Sequence, residues 1–301
     1  MKRPPNLQHN DKAVILSPAG KIDKQLVFGA ADVLEQWGLQ VEVGENALCE
    51  TGRFAGFSEQ RLSDLQKAMN DPNVRLILCS RGGYGVVQLI DKLDFAGIKK
   101  NPKWIVGYSD ITALHCALQT NGIMSLHAPM AKHFSDEGVE DVSVRHMKNI
   151  LTGQPVTYHI PVGKNSCLNR IGTVSGKLFG GNLSVFCGLL GTQYVKVPKS
   201  GILFIEDIGE LPYKVERMLY QLKFAGIFDQ ISGFIIGQFT DYEEDNGISY
   251  TLYESIRKIV DEYDFPVCFD FPIGHVKENF PMIMGERVSL NISEDEIVLI
   301  Q

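Results

Sequence analysis

Short, almost wholly apolar runs alternate with amphipathic helical stretches through the early part of the chain. That alternation restricts it to a parallel sheet covered by helices on both sides. Ala13 to Pro18 reads as the first strand, and Lys21 to Trp37 as a helix with Leu26, Ala30, Val33, Leu34 and Trp37 on one face. A short strand, Val41 to Val43, follows. Ser58-Glu-Gln-Arg-Leu then opens a helix that Ser58 is placed to cap, with Leu62, Leu65 and Met69 turned inward. Val74 to Cys79 is a third strand, followed by the glycine loop Arg81 to Gly85 and a short helix through Leu89. Trp104, Ile105 and Val106 make a fourth. Loops after parallel strands converge on one end of the sheet, so the segments after Cys79 and Val106 are expected side by side where ligands bind.

From about Thr152 to Ser175 the rhythm is lost, with Gly153, Pro155, Pro161, Gly163 and Gly172 breaking it. Strands then return at Gly201 to Ile208, Gly233 to Phe239 and Val267 to Phe271, separated by helices at Tyr213 to Phe224 and Leu252 to Tyr263. Glu286 to Ile292 and Glu296 to Ile300, joined across Ser293-Glu-Asp, read as a hairpin. The expected division is an N-terminal α/β domain over 1–152, a connection over 153–175 and a second domain over 176–301.

Composition narrows the function. A chain of 301 residues with 44% hydrophobic and 22% charged side chains is globular and long enough for two cores. Its formal net charge of -7, with no Lys/Arg cluster, speaks against nucleic acid and for a small-molecule or peptide partner. The six cysteines are scattered without a C-x-x-C pair and read as reduced, mostly buried thiols. No apolar run approaches the roughly 20 residues that span a bilayer, and no secretion signal is recognised, so a cytoplasmic location without membrane attachment is expected. There is no H-E-x-x-H, no Cys/His ligand spacing, no calcium loop, no P-loop and no dinucleotide fingerprint. No metal or cofactor is expected.

Four segments carry candidate chemistry. In GYSDITALH, Ser109 lies between the Trp104 strand and a helix. In one reading Ser109 or Asp110 is an ordinary helix cap. In the other Ser109 is a nucleophile held on a sharp turn, with the next backbone N–H aimed at developing negative charge. SRGGYG, Ser80 to Gly85, is either a tight βα turn or a cradle of backbone N–H groups for an anion. In LFIEDIGE, Glu206 and Asp207 end an apolar strand and point to opposite faces, so at most one joins a given cluster; either could instead cap the helix near Pro212. Of the seven histidines, His9 and His146 read as surface residues and His115 as part of a helix, while His127, His133 and His159 stay open. His275 lies in a glycine-flanked loop at a strand end. Ser109, a carboxylate at 206 or 207 and His275 then occur in the order nucleophile, orienter, base.

These segments resemble the serine-type LD-carboxypeptidases, the family of the muramoyl-tetrapeptide carboxypeptidases and the microcin C immunity peptidases. The resemblance runs nearly end to end, through SPAG (Ser17 to Gly20), RFAG (Arg53 to Gly56), SRGGYG, GYSDITALH, Leu126-His127-Ala128-Pro129, FGGNLS (Phe179 to Ser184), FIEDIGE, Tyr213 to Leu222 and PIGH. It implies Ser109 as nucleophile, Glu206 rather than Asp207 as the acid, and His275 as the base. It implies an oxyanion hole from the backbone N–H groups of Asp110 and Gly83. Arg81 and Asn182 are candidates for substrate binding. The implied fold is an N-terminal parallel α/β domain followed by a β-rich α/β C-terminal domain, with the active site in the cleft between them.

The implied activity releases the C-terminal D-alanine of cytoplasmic muropeptide tetrapeptides during peptidoglycan recycling, by a homodimeric enzyme without a cofactor. Two alternatives stand beside it: a microcin C immunity-like peptidase acting on a peptidyl or aminoacyl nucleotide, and a non-catalytic ligand-binding α/β module. Ile111 stands where α/β-hydrolases carry the second glycine of G-x-S-x-G, so the serine turn is convergent with theirs.

Overall fold

The computed structural model describes residues 1–136, 138–245, 247 and 249–301. In chain order its first part carries β1 (Lys12–Leu16), α1 (Lys24–Gln36), β2 (Gln40–Val43), α2 (Ser58–Asn70), β3 (Val74–Cys79), α3 (Ala96–Lys100), β4 (Trp104–Gly107), α4 (Thr112–Thr120), β5 (Ser125–His127), α5 (Ala131–Asp136) and α6 (Val142–Leu151). It continues with β6 (Thr157–Pro161), β7 (Gly172–Asn182), α7 (Leu183–Leu189), β8 (Gly201–Ile208), α8 (Pro212–Phe224), β9 (Ile231–Thr240), α9 (Leu252–Ile259), β10 (Val267–Cys268), β11 (Met282–Met284), β12 (Arg287–Ile292) and β13 (Glu296–Ile300).

The chain forms two compact units, Met1–Pro155 with Phe280–Gly285, and Val156–Asn279 with Glu286–Gln301. The partition expected from sequence changes in two places. The segment taken as a connection, 153–175, holds β6 and the start of β7, and the short stretch 280–285 returns to the first unit.

In the first unit a six-stranded sheet runs β11-β5-β4-β3-β1-β2, parallel throughout except for β11, which pairs antiparallel with β5. β1, β3 and β4 are buried almost end to end, as strands covered on both faces must be. Helix α1 starts at Lys24 rather than Lys21, because the Asp23 carboxylate accepts from the Gln25 N–H at 2.8 Å and fixes the first turn there. Ser58 is not the cap of α2. Phe57 occupies that position, and its N–H is taken by the Gln60 side chain at 2.8 Å.

The second unit has a seven-stranded sheet in the order β10-β9-β8-β7-β12-β13-β6. β10 through β7 are parallel, and β7 onward is antiparallel. The residue pattern records the change. GILFIEDI of β8 is buried at all but its last position, whereas TYHIP, RVSLNI and EIVLI alternate between inward and outward side chains, as one-sided antiparallel strands do. The C-terminal hairpin forms as expected from sequence. Helix α9 stops at Ile259 instead of Tyr263, and the strand expected to reach Phe271 ends at Cys268, beyond which Asp270 turns the chain at φ 62°.

Cysteine burial departs from expectation at Cys167, which is exposed, and Cys49, which is partly so; the other four are buried and all six are free. His146 is half-buried against the Phe280 ring rather than fully exposed. Among the described residues no helix is long and apolar enough to cross a membrane.

Candidate active site

In the first unit three loops meet at the C-terminal ends of adjacent strands. SPAG follows β1, SRGGYG follows β3 and GYSD follows β4. Ser109 adopts φ 63°, a left-handed backbone that costs a non-glycine residue about 1–3 kcal/mol and persists only where the surroundings enforce it. It starts a single 3-10 turn, Ser109–Ile111, that leads into α4. Neither Ser109 nor Asp110 caps that helix. The Asp110 carboxylate instead reaches sideways and accepts from the Val86 N–H at 2.9 Å. Burial raises the Asp110 pKa above the usual carboxylate range, against the opposing pull of hydrogen bonds from Val86 and Gly85 and the charge of Arg61.

Gly82 packs directly on the serine. A Cβ added there would lie 2.9 Å from Ser109 Cβ and 3.1 Å from its Oγ. Gly83, next along, has φ 104°. Gly82→Ala is therefore expected to displace the serine and lower kcat at least tenfold, with about 1–3 kcal/mol of stability lost. Steady-state kinetics beside a denaturant titration checks this, and wild-type kcat would show that the loop gives way without consequence.

Behind the turn, His115 is fully buried on α4. Its Nε2–H donates to the Gly107 carbonyl at 2.8 Å, since that oxygen can only accept, and its Nδ1 then accepts from Ser125 Oγ at 2.8 Å. Burial lowers its pKa to about 4, so the ring stays neutral and holds the end of β4. Sequence reasoning placed His115 only as a helical residue. Its one available signal was a lone histidine inside an otherwise apolar helix.

In the second unit β8 ends at the carboxylate pair. Glu206 is fully buried, and its Oε2 accepts from His275 Nδ1 at 2.8 Å. Asp207, on the other side of the strand, accepts from Asn182 Nδ2 and the Ser184 N–H, each at 2.8 Å, and from the Ile208 N–H at 2.9 Å. Asp207 thus anchors the start of α7, not α8. Asn182, offered as a substrate contact, is 3% exposed and caps α7, its Oδ1 accepting from the Val185 N–H and Ser184 Oγ. Arg81 is exposed, and its Nη1 donates to the Lys21 carbonyl at 2.8 Å.

A register shift brings His275 to Glu206. Between β8 and β9, Ile205 pairs with Ile236 but Asp207 with Phe239, so two residues of β9 face Glu206 alone. Bulges of this kind re-aim side chains next to functional sites. The freed Gln238 N–H donates to the Ile273 carbonyl at 2.9 Å and draws in the PIGH loop. Gly274, at φ 124°, lets the backbone approach so closely that a Cβ would meet Glu206 Cβ and Oε2 at 3.0 Å. Asn279, fully buried, holds the Gly274 N–H at 3.0 Å, a role that no local pattern marks. Burial by itself lowers the His275 pKa. The hydrogen bond and charge of Glu206, with Asp207 and Asp241 beyond, outweigh it and hold the imidazole above the ordinary histidine value. Since Nδ1 donates to a carboxylate, Nε2 of neutral His275 is the acceptor that could take a proton.

His127 is buried on β5 with its ring 5.8 Å from that of Tyr108, and His159 is exposed beside Glu296. Among the described residues no group of three His, Cys, Asp or Glu side chains is placed to hold a metal ion.

Comparison with known proteins supplies the family. The model of the LD-carboxypeptidase N-terminal domain matches residues 14–128 and that of the C-terminal domain residues 175–290. A Bacillus subtilis protein named "Probable murein peptide carboxypeptidase" is 32% identical over 307 residues, 99% of this chain and 94% of its own. The chain belongs to the LD-carboxypeptidase family. As an LD-carboxypeptidase it is an enzyme, and membership sets aside the non-catalytic binding module. The crystal structure of muramoyltetrapeptide carboxypeptidase from Oxalobacter formigenes matches with a TM-score of 0.87 at 29% identity, covering 96% of this chain and 98% of that one. The Escherichia coli microcin C7 self-immunity protein MccF is 24% identical over 93% of this chain and 90% of its own. MccF in complex with glutamyl sulfamoyl guanosine shares the fold, with a TM-score of 0.87 at 22% identity over 99% of this chain and 98% of that one.

Proposed function

We propose that this LD-carboxypeptidase releases the C-terminal D-alanine of cytoplasmic muropeptide tetrapeptides in peptidoglycan recycling, with Ser109, His275 and Glu206 as nucleophile, base and orienting acid. The observation that carries the reading is the 2.8 Å hydrogen bond from His275 Nδ1 to a fully buried Glu206, which fixes the imidazole with Nε2 as its proton acceptor. His275 takes the Ser109 proton as Oγ attacks the carbonyl of the penultimate residue. The oxyanion rests on the N–H groups of Asp110 and Gly83. His275 then returns the proton to the departing D-alanine nitrogen, and water, activated by the same histidine, hydrolyses the acyl-enzyme. The exposed guanidinium of Arg81 is the candidate for the substrate's terminal carboxylate.

A substrate panel tests the reading. The purified protein is incubated with a muropeptide tetrapeptide, the corresponding pentapeptide and an aminoacyl adenylate. Release of D-alanine from the tetrapeptide, with little turnover of the other two, is the expected result. Hydrolysis of the adenylate without D-alanine release would overturn it in favour of an immunity-type peptidase.

A further inference from the structure

We propose that the carboxylate of Asp110 and the guanidinium of Arg61 are positioning residues that aim the glycine loop as an oxyanion donor, an inference that rests on the reading of Ser109 as nucleophile and Gly83 as donor. Asp110 is 3% exposed and Arg61 is 2% exposed. Neither needs to contact substrate.

The peptide group that supplies the Gly83 N–H is the one whose carbonyl belongs to Gly82. That carbonyl accepts from the Gly20 N–H at 3.0 Å, and because a trans peptide points its N–H away from its C=O, the direction of the Gly83 N–H follows. Gly82 itself lies against Ser109. Downstream, the loop is pinned at both polar groups of its last peptide. The Gly85 carbonyl accepts from Arg61 Nη1 at 3.1 Å, and the Val86 N–H donates to Asp110 Oδ2 at 2.9 Å. Gly85 has φ 142°, and a Cβ there would stand 2.5 Å from Arg61 Nη1, so the close approach requires glycine.

Arg61 also donates from Nη1 to the Pro18 carbonyl at 2.8 Å and from Nη2 to Gln88 Oε1 at 2.7 Å, with its guanidinium over the Phe54 ring at 5.0 Å. It therefore joins the SPAG loop, the glycine loop and the turn after it. Its Nε is buried with no hydrogen-bond partner among the described residues. Burying a guanidinium carries a desolvation cost, which these hydrogen bonds offset. What the charge achieves is rigidity of the loop beside the serine. Asp110 is then doubly used: its backbone N–H is one proposed donor, and its side chain holds the loop that bears the other.

Asp110→Asn keeps the shape and one acceptor oxygen but loses the charge. It is expected to lower kcat on the tetrapeptide about 10- to 100-fold, less than outright removal of an oxyanion donor, with KM within about twofold of wild type. Affinity for a peptidyl boronic acid, which forms a tetrahedral anion on the serine, is expected to fall by the same factor as kcat. Arg61→Lys, which has one nitrogen for the acceptors Arg61 now bridges, should reproduce the split and carries the test if Asp110→Asn does not fold. Wild-type kcat in the folded variants, or a fall in kcat with boronate affinity unchanged, would overturn the proposal. Retained turnover in Ser109→Ala would overturn the nucleophile reading itself. Turnover lost in Ser109→Ala but intact in both positioning variants would defeat only the present inference.

Discussion

Ser109→Ala is expected to lower kcat for D-alanine release from a muropeptide tetrapeptide by a factor on the order of 10⁴ to 10⁶, with KM nearly unchanged. The hydroxyl is the atom that forms the acyl bond, so its loss leaves only transition-state binding by the backbone donors. The left-handed turn at φ 63° is maintained by contacts that alanine does not disturb: His115 on the Gly107 carbonyl, Asp110 on Val86 and Gly82 against the Cβ. Substrate should therefore still bind, and thermal stability should stay close to wild type. A coupled D-alanine assay with equilibrium binding of the tetrapeptide makes the separation, and a fluorophosphonate should label wild type but not the variant. Turnover within tenfold of wild type would remove Ser109 from the mechanism.

The second large effect belongs to Glu206. Glu206→Gln preserves shape but can present an amide donor to His275 Nδ1, favouring the tautomer whose Nε2 carries the proton and so is no base. A loss of about 10⁴ in kcat is expected on that ground. The pH profile should move as well. His275 acts as base only when neutral, and its pKa is raised, so wild-type kcat/KM should fall on acidification through a value above that of an ordinary histidine. Removing the Glu206 charge takes away the largest contribution that raises the pKa and leaves burial, which lowers it. The acidic limb of the residual activity should shift to lower pH. A limb that stays in place would mean that another group sets it.

How far these features could be read from the residues depends on what each one needed. The strands of the parallel sheets were legible because burial on both faces demands unbroken apolar runs, and Val74–Cys79 and Gly201–Ile208 form over the residues that pattern indicates. β7 was not legible. Its glycines look like loop residues, yet Gly176 and Gly180 are there because a Cβ would meet the Ser200 carbonyl at 2.4 Å and the Phe204 carbonyl at 2.0 Å. β6 ends in a proline, which an edge strand tolerates but which reads as a break. At the site, strand-end placement was enough to single out Ser109, the pair Glu206 and Asp207, and His275 as candidates, and the family resemblance chose Glu206 of the pair. The groups that hold them had no local signature: Arg61, His115 and Asn279 act through contacts set by tertiary register, and the side chain of Asp110 works away from the helix it adjoins.

The placement of β11 bears on the order in which the molecule can be made. Met282–Met284 are the antiparallel neighbour of β5, so the first unit owns a strand that a ribosome delivers only after residues 156–279 have emerged. Until then the edge of β5, with its unpaired amides and carbonyls, is open to any passing strand. A first unit folded before that point would lack this three-residue seal along one edge, since it is translated just after the histidine loop. A nascent chain released before Met282 would be sticky as well as incomplete, which favours its removal over its accumulation.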